Sequence, residues 1–515
     1  MKLKYKLYLF LVVVLILFSE CNTDELAALN VNPTTTTEID WRYLFTNGLL
    51  RTGGNTNNYA CTQLTYCAPI IQHLSILSTD GGDKYFAGNG LYFNICYSDI
   101  LKNYVEVIKQ TGPDGKDPQL VNLYNAARVM KVFVYHRCTD LYGDIPYFEA
   151  NKAYDEGIFF PAYDTQQDIY MDMLNELTEA ATGFDNSADD MNSQDLIYNG
   201  NVDQWKKFAY SLMLRLAMRI SNVEASTARS YVEKAIEGGV FTSNEDNAWI
   251  PMASGPNRQY NTNEMSVALQ PGAGGDYQRA KPSKTLIDFL RDNNDPRLMI
   301  ITSGIGYFGN PDKIVDPALQ KGLPNGHDQN TIKDYEGVTG DVDVDTTYSR
   351  VNEMLIDWDD PALLQTYAEV EFLLAEAAVK GWHSGYPDIH YNNGVRAAMQ
   401  MYDIFDPSFI VSDAEVDAYL ATHPYDPAKG PEMISTQYWA ATFLNFYEAF
   451  ANWRRTEFPV LIPHDYPGNA TNGTIPRRMM FDLVEVSKNE ANYLAAMERM
   501  GGDKMTTRVW WDGGN

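Results

Sequence analysis

The sequence predicts an all-α-dominated fold, in which paired helices form the scaffold and long irregular loops form one face. Three observations predict it. Apolar residues recur at helical spacing in several long segments, of which "WKKFAYSLMLRLAMRIS" is the clearest. Helix start and stop signals flank several of them. Residues 238–360, by contrast, are dense in Gly, Pro, Asn and Asp yet carry aromatic rings throughout, which argues for ordered loops rather than disorder.

At the N-terminus, Lys2, Lys4 and Lys6 lead into an apolar run, Leu7 to Phe18, of only twelve residues. A membrane-crossing helix needs about 20 apolar residues. The basic start, short apolar stretch and abrupt polar switch therefore read as a secretory signal over residues 1–20. Residues 21–40 are polar and Thr-rich and read as a tether and lead-in arm. Residues 41–515 read as one large domain with a loop-rich insert at about 238–360, because no boundary looks like a flexible linker.

The helices follow in order. "YDTQQDIYMDMLNELTEAATG" has Asp164 as the expected N-cap with Gln167 three residues on, an apolar face of Ile169, Met173 and Leu177, and a stop at Gly183. The next places Trp205, Phe208, Ala209, Leu212, Met213, Leu216 and Ile220 on one stripe. Leu214 and Met218 are apolar on the other side, so this helix is expected to be buried nearly all round. "LLQTYAEVEFLLAEAAVKGW" reads as a further helix. "SKNEANYLAAMERMGG" carries an expected capping box, Ser487 with Glu490, and a stop at Gly501. "AEAAVKG" resembles the second helix of a tetratricopeptide unit, but no regular 34-residue period recurs. Degenerate helical pairs fit best.

Composition narrows the function. With 515 residues, 45% of them hydrophobic, a large core is affordable. Net charge is −28; removing residues 1–20 takes away three Lys and one Glu and leaves −30. This opposes nucleic acid as a partner and docking on anionic lipid by charge. After Cys21, four cysteines remain: Cys61, Cys67, Cys96 and Cys138. An even count in an exported chain permits disulfides, but no CxxC pair or framework is present, and buried free thiols are the preferred reading.

Catalytic signatures are absent: no GxSxG, HExxH, P-loop or GxGxxG before a helix. No enzymatic activity is expected. His383 and His390 lie seven apart with Gly and Pro between them, so no shared helix face and no metal site is expected there. The rival enzymatic reading is a glycosidase using Glu369 and Glu376. Seven residues apart on one helix, they would stand about 10 Å apart, against roughly 6.5–9.5 Å for an inverting pair. Asp341, Asp343 and Asp345 have the 1-3-5 spacing of a calcium loop. Thr346 stands where an EF-hand needs Gly, and Asn352 where it needs Glu. A looser structural calcium site and a solvated acidic loop are the two readings left. No cofactor is required.

The loops supply rings and polar partners. Trp249, Tyr260, Tyr277 and Tyr307 lie near Asn257, Arg258, Asn261 and Gln278, and "GGDKYF" adds Tyr85 and Phe86. Rings can cover the apolar C–H faces of a flat ligand such as a glycan, while amides fix its orientation. The competing reading is that these rings plug the loops onto the scaffold. At least one of Trp249, Tyr260 and Tyr277 is expected to touch ligand.

Several segments in order, "LNVNPT", "LYGDIPYFEA", "YDTQQDIYMDML", "WKKFAYSLMLRLAMRIS", "NDPRL", "AEVEFLLAEAAVKGW", "YWAATFLNFYEAFANWRRTEFP" and "IPRRMMF", carry a resemblance. The chain resembles the SusD/RagB outer-membrane lipoproteins of Bacteroidetes-type bacteria, in the SusD-like branch. The resemblance implies a tetratricopeptide-like scaffold without enzymatic activity. It implies capture of an oligosaccharide, or in some members a peptide, for a SusC-type TonB-dependent transporter. "LFSEC" is similar to a lipobox, which implies acylation of Cys21, although Glu20 replaces the small residue usual there. Asp24 and Glu25 resemble an acidic surface-export signal, which implies an outer-membrane lipid anchor facing the cell surface. The ligand-contacting rings of the family align to no motif, so none is carried over. "YGDIPY" is read as a structural turn.

Overall fold

The computed structural model describes residues 39–54, 62–79, 81–88, 91–188, 190–255, 261–270 and 280–514. The signal segment, Cys21, nearly all of the tether, Cys61, Tyr260 and Tyr277 lie outside the described residues.

Helices dominate. In chain order the longer ones are α1 (Trp41–Gly53), α2 (Lys102–Thr111), α3 (Val121–Tyr142), α4 (Gln166–Gly183), α5 (Val202–Arg219), α6 (Ala225–Gly238), α7 (Lys284–Asp292), α8 (Tyr367–Val379), α9 (Pro387–Gln400), α10 (Asp413–Thr422), α11 (Gly430–Ala441), α12 (Phe446–Thr456) and α13 (Glu490–Met500). Many begin on a side-chain cap: Asp40, Asn201, Ser283 and Thr366 each accept from a backbone N–H of the first turn.

Two expected caps move. Helix α4 is capped by Thr165, whose Oγ1 accepts from Asp168 N at 3.2 Å. Asp164 is taken by the preceding turn, where its Oδ2 accepts from Tyr147 N and Phe148 N, both at 2.9 Å. The "YGDIPY" turn is thus fastened to the start of α4, and Gly143 supplies the positive φ of 85° that turns the chain out of α3. Ser487 does not cap α13: its Oγ donates back to Val484 O at 2.9 Å within a separate helix, Leu483–Lys488. A capping box stands instead at Ser412 and Glu415 on α10. Gly501 ends α13 in the left-handed region, as its position predicts.

Neighbouring helices pack in sequence order, α3 on α4, α4 on α5, α5 on α6 and α8 on α9, with α11 joining α8 to α12. Short connections at 220–224 and 380–386 return the chain within a pair. Helix α5 is buried on both sides, Leu214 and Met218 included. "LLQ" is not helical. Ala362–Gln365 forms strand β6, which pairs antiparallel with β2 (Ala248–Ile250) before Thr366 starts α8. Two further two-stranded ribbons join β1 (Leu74–Ile76) to β3 (Ala280–Pro282) and β4 (Thr302–Ile305) to β5 (Ser349–Val351).

One apolar cluster runs from Phe45 to Trp511. An ionic network crosses its centre. Arg219 Nη2 donates to both oxygens of Glu448, at 2.7 and 2.6 Å, and Arg215 Nη2 to Glu369 at 2.5 Å. Tyr438 Oη donates to Glu448 at 2.8 Å, and Trp511 Nε1 to Asp140 at 2.8 Å. Glu369 therefore belongs to the scaffold and has no access to solvent. Glu376 is gripped by both terminal nitrogens of Arg455, at 2.7 and 2.6 Å. The paired-carboxylate reading is corrected accordingly: each glutamate is held by an arginine of a neighbouring helix, because long charged side chains buried between helices must be paired. Cys67, Cys96 and Cys138 are free and buried. A second, smaller apolar cluster, Leu77, Leu323, Ile332, Val342 and Tyr348, is built within the loop-rich segments.

Candidate functional site

Three loops, 81–88, 324–330 and 462–470, are cross-braced into one layer. Its centre is Asp83, fully buried and paired with equally buried Lys84 at 2.9 Å. Asp83 Oδ2 accepts from Ser75 Oγ and from Gly326 N, each at 3.1 Å. Ser75 Oγ also approaches Pro324 O at 3.0 Å, and Asn325 Nδ2 donates to Leu74 O at 2.8 Å. The third loop is tied on by Ala470 N donating to Tyr85 O at 2.8 Å and by Gln72 Nε2 donating to Ile462 O at 2.5 Å. Gly82 is required here: a Cβ would collide with Thr65 O and lie 2.8 Å from Tyr66 Cα.

Rings stand on this layer. Phe86, half-buried, meets Tyr466 edge-on with centroids 5.6 Å apart. Tyr335, 46% exposed, lies 5.1 Å from the His327 ring. Tyr466 is fixed by its hydroxyl, which donates to Asp328 Oδ2 at 2.6 Å. Burial pushes the Asp328 carboxyl up, but hydrogen bonds from Tyr466 and the backbone N–H groups of Thr331 and Asn330 outweigh it and hold the pKa at about 2. Asp328 therefore stays ionised at any neutral pH and keeps the ring in place.

The rings singled out from sequence are divided. Tyr85 is fully buried, and so offers no face to a ligand; its ring lies 6.4 Å from that of His464. Trp249 is half-buried on β2 and packs against the main core. Tyr307 is 52% exposed but lies just beyond β4, where its hydroxyl donates to Asp343 Oδ2 at 2.5 Å. His327, His464 and Tyr466 were missed. Their signal is weak in sequence, because each depends on a loop far along the chain folding back beside "GGDKYF".

The calcium reading is corrected. Asp341 pairs with Lys333 at 2.5 Å, Asp343 takes Tyr307 and the N–H of Asp345, and Asp345 pairs with Lys281 at 2.5 Å and Arg350 at 3.2 Å. The three carboxylates are drawn to separate donors instead of converging. Among the described residues no group of three His, Cys, Asp or Glu could hold a metal.

Further clefts lie elsewhere. One of about 880 Å³ is lined by Arg291, Asp295, Met299, Asp316, Glu415 and Tyr419; its one ring is buried. Another, of about 530 Å³, is lined by Phe93, Tyr97, Asn151, Glu485 and Asn489, with Phe159 at its edge 71% exposed.

A scaffold of helical pairs carrying a braced, ring-bearing loop layer places the chain among tetratricopeptide-like helical proteins. Residues 33–482 match the SusD-like family described as "Starch-binding associating with outer membrane", and the chain belongs to that family. Among solved structures, a chitin-binding protein is 34% identical, with a TM-score of 0.79 over 92% of this chain and 100% of its own. The Bacteroidetes AC2a SusD-like protein is 27% identical, with a TM-score of 0.78 over 92% and 100% of the two chains. A SusD homologue from Bacteroides uniformis is 26% identical, with a TM-score of 0.75 over the same shares. No curated protein matches the chain. Among the described residues no helix is long and apolar enough to cross a membrane.

Proposed function

We propose that this chain is a nutrient-binding lipoprotein of the outer-membrane surface, which captures a glycan on its loop layer and delivers it to a SusC-type TonB-dependent transporter. Acylation at Cys21 anchors it, and the chain itself performs no hydrolysis. The observation that carries the reading is the pair of rings Phe86 and Tyr466 on loops braced by Asp83, Lys84 and Asp328, with Tyr335 nearby on the short helix Thr331–Glu336. A rigid ring platform binds flat C–H faces at low entropic cost. Trp249, Tyr260, Tyr277 and Tyr307 are further contacts to be tested beside it. The chitin-binding relative at 34% identity makes an oligomer of β-1,4-linked N-acetylglucosamine the first ligand to test.

Calorimetry with such an oligomer tests the reading. Tyr466→Ala and Phe86→Ala should each weaken binding by about tenfold, roughly 1.4 kcal/mol, with no reducing ends released. Unchanged affinity in both, together with loss in Phe159→Ala, would move the site to the groove beside Phe93. Binding of peptides and of no glycan would replace the ligand class. Cys21→Ala should release the protein from the membrane fraction; a variant of unaltered mass that stays membrane-bound refutes the anchor. A barrel transporter should co-purify with the native protein, and its absence from mildly solubilised outer membranes counts against delivery.

A further inference from the structure

The connection between α8 and α9 brings two histidines together that helical spacing alone would keep apart. His390 lies in the first turn of α9, and residues 380–386 fold back so that His383 Nε2 stands 3.0 Å from His390 Nε2. The far side of His390 is held by α8: its Nδ1 lies 2.6 Å from Glu371 Oε2. The Glu371 oxygen facing Nδ1 accepts an imidazole N–H, which in the neutral ring leaves the Nε2 lone pair toward His383. In the metal-free chain His383 completes the contact with an Nε2 proton.

Gly385 lies against both nitrogens and, being glycine, places no side chain there. A Cβ at Gly385 would fall 2.6 Å from His383 Nε2 and closer still to His390 Nε2. The neighbouring cation, Lys380, is turned away toward Glu376 and over the Trp382 ring.

We propose that His383 and His390 form a two-imidazole site for a borderline divalent transition-metal ion of the zinc class, with water in the remaining coordination positions. Two imidazole nitrogens at about 2.0–2.1 Å from one tetrahedral zinc ion stand roughly 3.3–3.4 Å apart, so the observed 3.0 Å needs to open by only about 0.3–0.4 Å. Glu371 orients His390 through the ring nitrogen that does not face the ion, the arrangement that fixes tautomer and basicity in metal-bound histidines. Nitrogen ligands select zinc, copper or nickel over calcium or magnesium. On binding, the proton on His383 Nε2 is replaced by one on Nδ1 through exchange with solvent, so no net proton is released.

The test uses the full chain without a histidine tag, stripped with chelator and titrated with zinc chloride by calorimetry at neutral pH. One zinc per chain should bind, and calcium chloride should give no heat. His383→Ala and His390→Ala should each abolish the isotherm. Glu371→Gln should weaken it about 10–100-fold, and Gly385→Ala, which leaves both imidazoles in place, at least about tenfold. Circular dichroism checks that the variants remain folded. Copper(II) paramagnetic resonance gives a second readout: two-nitrogen coupling in the native chain and one in either single variant. Absence of zinc binding to the native chain, an unchanged isotherm in the double alanine variant, or a copper spectrum without two-nitrogen coupling overturns the proposal.

Discussion

Glu448→Gln is the sharpest probe of the scaffold. Glu448 accepts twice from Arg219 Nη2 and once from Tyr438 Oη, and lies 3.5 Å from Arg215 Nε. The side chains of Arg215, Arg219 and Glu448 are each 3% exposed or less. Glutamine keeps the shape, but it removes the charge and turns one acceptor into a donor facing guanidinium N–H groups. Breaking a buried pair costs about 3–5 kcal/mol. Two residual charges soften the loss here: Glu369 still neutralises Arg215, and Asp140 stands 3.5 Å from Arg219. The expected cost is therefore near the lower end, about 3 kcal/mol, read by equilibrium urea unfolding. Arg219→Met with Glu448→Leu removes both charges and leaves Arg215 paired with Glu369, while Asp140 keeps its bonds from Tyr170 and Trp511. The double variant should cost less than Glu448→Gln alone. A single-variant loss below about 1 kcal/mol, or a double variant with simply additive losses, would refute the view that the network is a tightly coupled ionic unit.

Acid should act elsewhere first. Burial raises the Glu176 carboxyl, but Arg128 and Lys131 more than reverse this and hold it at about 2, against 4.5 for an ordinary glutamate. Its stabilisation is fully present above the unfolded value and is lost as pH falls from about 4.5 to about 2, an upper figure of ~3 kcal/mol from 1.36 kcal/mol per unit; in Glu176→Gln the stability–pH curve should flatten over that window, and an unaltered curve contradicts the assignment. Cys67 should resist thiol reagents, because burial pushes its pKa up to about 12; rapid labelling of Cys67 in the native chain at mildly alkaline pH would show that the core opens readily.

Much of the scaffold was legible because its signals are local. The stripe on α5 is set by 3.6-residue periodicity, and the stop at Gly501 by a left-handed turn that glycine tolerates. Where local signals compete, the reading slipped. Asp164 and Thr165 both suit a cap, and the turn at Tyr147 and Phe148 decided between them. "LLQ" continues an apolar helical pattern, yet β2 draws it into a strand through hydrogen bonds to a segment more than a hundred residues earlier in the chain. The loop face was legible in composition but not in detail. Tyr85 and Phe86 are adjacent, and backbone geometry alone (φ of 57° at Tyr85) sends one ring inward and the other toward Tyr466. The Gly and Pro between His383 and His390 argue against a shared helix face, and those same breakers fold the two rings together.

The five-residue cluster of Leu77, Leu323, Ile332, Val342 and Tyr348 stands apart from the large apolar body. Packing changes propagate through shared contacts and fade where contacts end. Substitutions at Leu323, Ile332, Val342 or Tyr348 therefore act first on this small cluster and the loop-rich segments that build it. The loop-rich segments thus keep a small apolar anchor of their own, separate from the packing that holds the helical pairs together.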